Sequence, residues 1–311
     1  MDIRQLRTFV HVAELGNLRK ASERLHTVQP ALSRQIQLLE ADLKVRLFDR
    51  LGRGMSLTAA GQLFLPRAAA ILRQMEEARA DMVAEAEGLQ GSVSIGMPPS
   101  VAEALGARLA ERLVRGFPQV AIRLVAGSSG YVLDWLQRGE VDLAILYDPY
   151  GRLDVQASPL LLENLFFVTA TTSGFPEAGA FPFADLAGRR LILPSRRHGL
   201  RDLLEKVAEQ QHLSLDVPIE ADDMAIQKAL VIGGLGDTVL PLAAVHRDIL
   251  DGRLRAMPLC DPVVSRRLMV ALPSGRPAAN VVHRCVQELR AEVADMVSGG
   301  VWSGQLLDIK P

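Results

Sequence analysis

The sequence is short of the residues that build disulfide scaffolds, zinc centres and membrane spans. Cysteine occurs twice in 311 residues, at Cys260 and Cys285, with no Cys-x-x-Cys pair. That excludes a disulfide framework and a zinc finger, and it fits a reducing compartment. The six histidines are scattered and include no His-Glu-x-x-His pair, so neither a metal nor any other cofactor is expected. The longest apolar stretch, residues 229–245, is interrupted by three glycines, Asp237 and Pro241, which rules it out as a membrane span. The opening MDIRQLRTFVHVAELG has an acid at position 2 and polar breaks throughout, unlike a secretory leader. A cytoplasmic protein with no membrane partner is the expectation. Nor is there an excess of charge: 35 Lys and Arg stand against 36 Asp and Glu. With 49% apolar and 23% charged residues, the chain has the composition of a folded protein. Its length is enough for two or more domains with real cores.

What charge there is lies unevenly. Residues 1–60 hold ten bases and six acids, whereas residues 92–311 hold 22 bases and 25 acids. A basic head on a slightly acidic body is the electrostatic footprint of a nucleic-acid reader carrying a second module. A merely solvated surface is the alternative, and the residue pattern decides between them. Leu6, Phe9, Val10 and Ala13 recur at helical spacing, and Gly16 can end that helix in the left-handed region. A second helix is expected over 18–25, burying Leu18, Ala21, Ser22 and Leu25. A third opens at Gln29-Pro30, where proline is tolerated in the first turn, and runs through Leu32, Ile36, Leu39 and Leu43. Thr27 is a candidate N-cap, with Val28 the poorer competitor for that position. Two helices crossing through a three-residue turn make a helix-turn-helix.

Residues 47–57 read as a short β-hairpin wing. Thr58 caps a long helix over about 59–87, whose apolar residues Leu63, Ile71, Leu72, Met75, Met82, Val83 and Leu89 form one stripe. A stripe with no nearby partner points to pairing with a second chain. Pro66 lies inside it, and the GLQGS run at 88–92 reads as a hinge. Beyond Val93, short apolar runs (VSIGM, VAIRLVAG, VDLAILY, LFFVTA, RRLILP, DTVLP, LMVAL) alternate with helical patterns. That alternation predicts Rossmann-like α/β lobes with parallel sheets.

The segment AELGNLRKASERLHTVQPALSRQIQLLEADLKVRLFDRLGRGMSLTAAG resembles the DNA-binding head of the LysR-type transcriptional regulators. The spacing of A-S-x-x-L, Q-P-A-L-S-R-Q-I, L-E, R-L-F-D-R and L-T-x-A-G matches that family without a gap. Two departures stand out: Val28, where the family often has Ser or Ala, and Lys44, where it often has Gly. The GSVSIG and SGYVLDWLQRGEVDLAILYD stretches resemble the nitrogen assimilation control subgroup. The resemblance implies an α/β protein with a winged helix-turn-helix at 1–58. A linker and dimerisation helix with its hinge would follow at 59–91. The remainder, 92–311, would be a two-lobed effector domain of periplasmic-binding-protein type, with one lobe near 92–162 and 268–300 and the other near 163–267. It implies a homodimer assembling into a homotetramer on double-stranded promoter DNA, with contact to RNA polymerase.

Residue chemistry assigns the candidate roles. At the start of the third helix, Gln29 suits the adenine N6/N7 edge and Arg34 the guanine O6/N7 edge. The Pro30 ring can touch a thymine methyl, and Ser33 a base or a phosphate. Thr27 belongs to the same turn. Lys20, Arg50 and Arg53 are expected on phosphates or in the minor groove, with solvated loop charges as the alternative reading of the two wing arginines. In doubly wound sheets, ligands sit at the carboxyl ends of strands. Pro99, Ser100, Ser128, Ser129, Tyr147, Ser195, His198 and Thr238 occupy such places and suit a small polar or anionic effector. Each of them could equally be a cap or turn residue. In the nitrogen assimilation control type, the cleft would bind nothing.

An α/β enzyme with a helical appendage is the competing class. It lacks a nucleophile elbow, since Gly127-Ser128-Ser129-Gly130 is not Gly-x-Ser-x-Gly. It also lacks a dinucleotide loop, since Gly233-Gly234-Leu235-Gly236 has the wrong spacing. Asp222-Asp223 has no His or Lys at acid-base spacing. A solute-binding transport protein would need a leader. No enzymatic activity is expected.

Overall fold

The computed structural model describes residues 1–51, 54–87, 89–147, 155–175, 179–274 and 278–307. The head consists of α1 (Ile3–Leu15), α2 (Leu18–Arg24), α3 (Gln29–Leu43), β1 (Phe48–Leu51), β2 (Gly54–Leu57) and α4 (Ala59–Glu87). α1 begins with a reciprocal capping box: Gln5 N donates to the Asp2 carboxylate at 2.8 Å, and Asp2 N to the Gln5 side chain at 2.9 Å. It ends at Gly16, whose φ of 60° only glycine adopts without cost. Asn17 then caps α2 through Arg19 N and Lys20 N. Ala21, with no exposed surface, lets α2 approach its neighbours closely, and Leu6, Phe9, Val12, Leu32, Ile36 and Leu39 close the core. Leu18, Ser22 and Leu25 are only half-buried.

Thr27 does not cap α3. Val28 holds the cap position without a side-chain hydrogen bond, and the Thr27 hydroxyl donates to Leu25 O at 3.1 Å instead. Lys44 ends α3 with φ 58°, which explains why glycine suits that position.

The wing is fastened to the helices at three points. Glu40 of α3 accepts from Leu47 N at 2.7 Å and Phe48 N at 3.1 Å. Met55 N of β2 donates to Gly16 O at 2.9 Å. Thr58 accepts from Gly61 N at 3.0 Å, so it caps α4 as its position suggests, and it donates to Arg46 O at 2.7 Å. Gly61 permits this crossing, because a Cβ there would collide with Leu47 O. The stripe on α4 is not wholly unpartnered, which corrects the sequence reading. Phe64, Leu65, Ala68 and Leu72 pack into the head core, whereas Leu63 and Ile71 face outward, 68% and 39% exposed.

The body begins at β3 (Gly91–Met97), so residues 91 and 92 belong to a strand rather than to a hinge. It continues through α5 (Pro99–Gly116), β4 (Val120–Ala126), α6 (Ser129–Arg138), β5 (Leu143–Tyr147), β6 (Val155–Ala170), β7 (Phe181–Pro182), β8 (Arg190–Leu193) and α7 (Gly199–Gln210). Then come β9 (Asp216–Glu220), α8 (Met224–Ile232), β10 (Thr238–Pro241), α9 (Leu242–Leu250), β11 (Leu254–Cys260), β12 (Ser265–Pro273), α10 (Asn280–Ser298) and β13 (Gly304–Leu306).

The expectation of parallel sheets holds only in part. β3 runs parallel to β4 and β5, and β8 to β9. One sheet then continues through β12, β6 and β11, all antiparallel, with β10 and β13 also pairing with β6. Strand β6 joins two cores. Leu160 and Leu161 pack with β3, α5 and α10, whereas Leu165, Phe166, Phe167 and Val168 pack with β8, α7 and β11. The lobes also meet at α5 and α8, where Lys228 pairs with Glu103, and with Asp248 of α9 at 2.8 Å.

Gly61→Ala is expected to destabilise the head by at least the roughly 1–3 kcal/mol typical of overpacking, because the obstructing atom is backbone. Urea denaturation of the full chain measures it.

Candidate functional site

α3 has two unlike faces. Leu32, Ile36 and Leu39 are buried, whereas Gln29, Pro30, Arg34, Gln37 and Leu38 are exposed. Pro30, Arg34, Gln37 and Leu38 follow the i, i+4, i+7, i+8 spacing that aligns side chains on one helix face, with Gln29 at the leading end. Ser33 and Thr27 are half-buried beside them. Lys20 is exposed in the first turn of α2. Arg50 belongs to β1, paired in register with Met55, while Arg53 lies outside the described residues. The face therefore offers an amide fork, a guanidinium and apolar surface, which are the groups that read base edges in a major groove.

In the body, several of the proposed effector residues meet around one cation. The Ser100 and Tyr147 hydroxyls lie 2.7 Å apart. Tyr147 N donates to Ser129 Oγ at 3.3 Å. The guanidinium of Arg266 lies 3.6 Å from the centroid of the Tyr147 ring and reaches Ser100 Oγ at 3.4 Å. Burial pushes the Tyr147 phenol well above its ordinary range, against the opposing pull of Arg266. Arg266 is held from behind by Glu163, at 2.6 Å, and both side chains are almost fully buried. The second oxygen of Glu163 accepts from Trp302 Nε1 at 2.8 Å.

The opposite lobe contributes His198. Its Nδ1 accepts from Leu200 N at 3.2 Å and so caps α7. Burial, then Arg266, lowers its pKa, and Asp222 opposes both. Asp222 is itself held below its ordinary range, chiefly by the N–H of Ser195, which donates to it at 2.8 Å. Asp222 thus does have a histidine neighbour, brought to it from a distant stretch of chain, while Asp223 caps α8. Pro99 and Ser128 are exposed at the starts of α5 and α6. Thr238 stands apart. It has no exposed surface, and its hydroxyl accepts from Gln227 Nε2 at 2.7 Å inside the second lobe.

Sequence reasoning missed Arg266, Glu163 and Trp302. Arg266 and Glu163 sit in β-strands with no motif around them, and Trp302 lies in a Gly- and Ser-rich tail. Only the pairing of β12 and β13 on either side of β6 brings the three together. Among the described residues, no group of His, Cys, Asp or Glu is arranged to hold a metal ion. Nor, among them, is any helix long and apolar enough to cross a membrane.

Two family models match the chain. One, described as LysR substrate binding domain, covers residues 86–294; the other, described as bacterial regulatory helix-turn-helix protein, lysR family, covers residues 3–62. The transcriptional regulator BbuR of Bordetella bronchiseptica is 30% identical over 98% of this chain and 94% of its own. The nitrogen assimilation regulatory protein nac of Klebsiella aerogenes is 32% identical over 79% of this chain and 80% of its own. A full-length OxyR variant from Pseudomonas aeruginosa superimposes with a TM-score of 0.75 at 23% identity, covering 100% of this chain and 99% of that one. CbnR complexed with its target DNA gives 0.68 at 22% identity, covering 94% of this chain and 100% of that one.

Two outcomes are expected from the buried cluster. Arg266→Met strands the Glu163 carboxylate and should cost about 3–5 kcal/mol in denaturant unfolding, whereas Trp302→Phe removes one charge-assisted bond, worth about 1.5–3 kcal/mol. Because folding lowers the His198 pKa, the unfolded chain binds the extra proton first. Stability from this group is present above the ordinary histidine value near 6.5 and is lost as pH falls through the folded value. His198→Asn, which still caps α7, should flatten that acid-side decline in thermal melts.

Proposed function

Because the chain belongs to the family of LysR-type transcriptional regulators, we propose that α3 lies in the major groove of promoter DNA and that the body senses a small polar or anionic molecule between its lobes. The chain is a helix-turn-helix regulator with a substrate-binding body, and the proposal concerns which residues perform each task. The observation that carries it is the division of α3: one face closes the head core, and the other leaves Gln29, Pro30 and Arg34 exposed. Gln29 reads adenine, Arg34 reads guanine, and Lys20, Arg50 and Arg53 hold the phosphates on either side. Thr27 and Ser33 complete the contact from the edges of the same face.

Leu63 and Ile71, exposed on α4, support pairing of that helix with the α4 of a second copy. The resulting homodimer places two heads on a partly palindromic site. Effector domains join dimers into a homotetramer in the cytoplasm, and its rearrangement alters contact with RNA polymerase. The body then needs only a difference in ligand affinity between two quaternary states. We assign it no catalytic step.

Pro99, Ser100, Ser128, Ser129, Tyr147, Ser195 and His198 are the proposed effector contacts, and the clustering of four of them around Arg266 supports the reading. Thr238, the remaining candidate, is fully buried and accepts from Gln227 within the second lobe. One observation favours a second reading, a body that binds no small molecule: Arg266 is already neutralised by Glu163.

Arg34→Ala is expected to relax sequence preference, losing about 1–3 kcal/mol of discrimination at one base pair. Arg53→Ala should weaken all sites alike and lower the salt slope by about one phosphate contact. Footprinting combined with a salt titration separates the two. Equal loss of specificity in both variants would overturn the division of labour.

A further inference from the structure

The side chain immediately ahead of α3 has no structural task among the described residues. Val28 occupies the N-cap with φ −74° and ψ 140°, and makes no capping bond. A capping oxygen would have little to do there. Such oxygens accept from the second or third N–H of the helix; the second residue is Pro30, which has none, and the third, Ala31, already donates to Val28 O at 3.0 Å. Val28 joins none of the hydrophobic cores among the described residues, and it is 70% exposed. Its neighbours on the open face are Gln29 and Pro30, both exposed. A rigid, β-branched apolar side chain therefore projects at the leading end of the helix that enters the groove. The apolar group that base edges present in the major groove is the thymine C5-methyl.

We propose that Val28 is a specificity-determining residue that selects thymine through its C5-methyl group, alongside the polar reading by Gln29 and Arg34. This rests on the DNA-reading role of α3. The isopropyl group is β-branched and stiff at χ1, so it loses little freedom on contact. Covering one methyl group is worth about fourfold in affinity, from about 0.8 kcal/mol per buried carbon.

The test uses the full-length protein and duplexes it selects from a randomised pool. In the best-bound sequence each thymine is replaced singly by deoxyuridine, which pairs identically but lacks the methyl group. Dissociation constants are then read by fluorescence anisotropy at fixed salt. For the native protein, one replacement in each half-site should weaken binding about fourfold. Val28→Ser, which removes the isopropyl group, should bind the thymine and uracil duplexes equally, whereas Val28→Ile, which keeps a β-branched apolar side chain, should retain the difference. The proposal is overturned if the native protein is indifferent to every replacement, or if Val28→Ser keeps the penalty. Loss of the penalty in Pro30→Ala alone would assign the methyl contact to the proline ring and would also overturn it. A protein that selects no duplex at low ionic strength overturns the reading of α3 itself, and this proposal with it.

Discussion

A single buried carboxylate governs how the body is put together. Glu163 sits where β6 leaves one hydrophobic core and enters the other, 1% exposed. An ionised group at such a depth is tolerable only when its oxygens are fully engaged. Arg266 engages one from β12 and Trp302 the other from beside β13. The requirement therefore fixes three separate stretches of chain relative to one another. It also fixes the polar cluster, because the Arg266 guanidinium that satisfies Glu163 is the same group that stacks on Tyr147 and reaches Ser100. The polar cluster is the far side of a structural necessity.

The head obeys a comparable economy of contacts. Glu40 lies on α3 and accepts from the two backbone N–H groups from which the wing departs. Gly16 both ends α1 and accepts from β2. Thr58 caps α4 while holding Arg46 O. Each of these side chains or turns belongs to one element and fastens another, so the spacing of R-L-F-D-R and L-T-x-A-G reflects backbone hydrogen bonds and one close approach at Gly61. Motif residues that look like a recognition signature are, in this head, largely the fastenings that set the angle between helix and wing.

These differences in cause account for what can be read from the chain. Helix α3 is legible because proline, apolar period and length all agree. The sequence points to the wrong cap for α3 because Thr27 and Val28 differ by one place, and only the backbone angles settle which stands at the boundary. The antiparallel half of the sheet is not legible. LFFVTA looks like a short buried strand, yet it is the end of the 16-residue β6, whose first part carries polar residues and pairs with strands from the far end of the sequence. α9 begins within the end of the apolar stretch over 229–245, where periodicity is swamped by composition. The hydroxyls of the polar cluster announce themselves as residues after strands. Their cation does not, because Arg266 is one of two adjacent arginines and only its pairing partner distinguishes it. Thr238 differs from those hydroxyls: it opens β10 rather than following a strand, and it is fully buried.

β6 carries one further implication. Domains that open and shut about a flexible strap can do so because the strap belongs to neither of them. Here the connecting strand is a structural member of both, paired with β12 and β13 in its first part and with β10 and β11 in its second. Swinging the lobes apart would tear ladder hydrogen bonds. Twisting the strand about its own axis would break none, and sheets accommodate a range of twist. Motion of one lobe against the other that preserves these ladders is therefore torsion along β6.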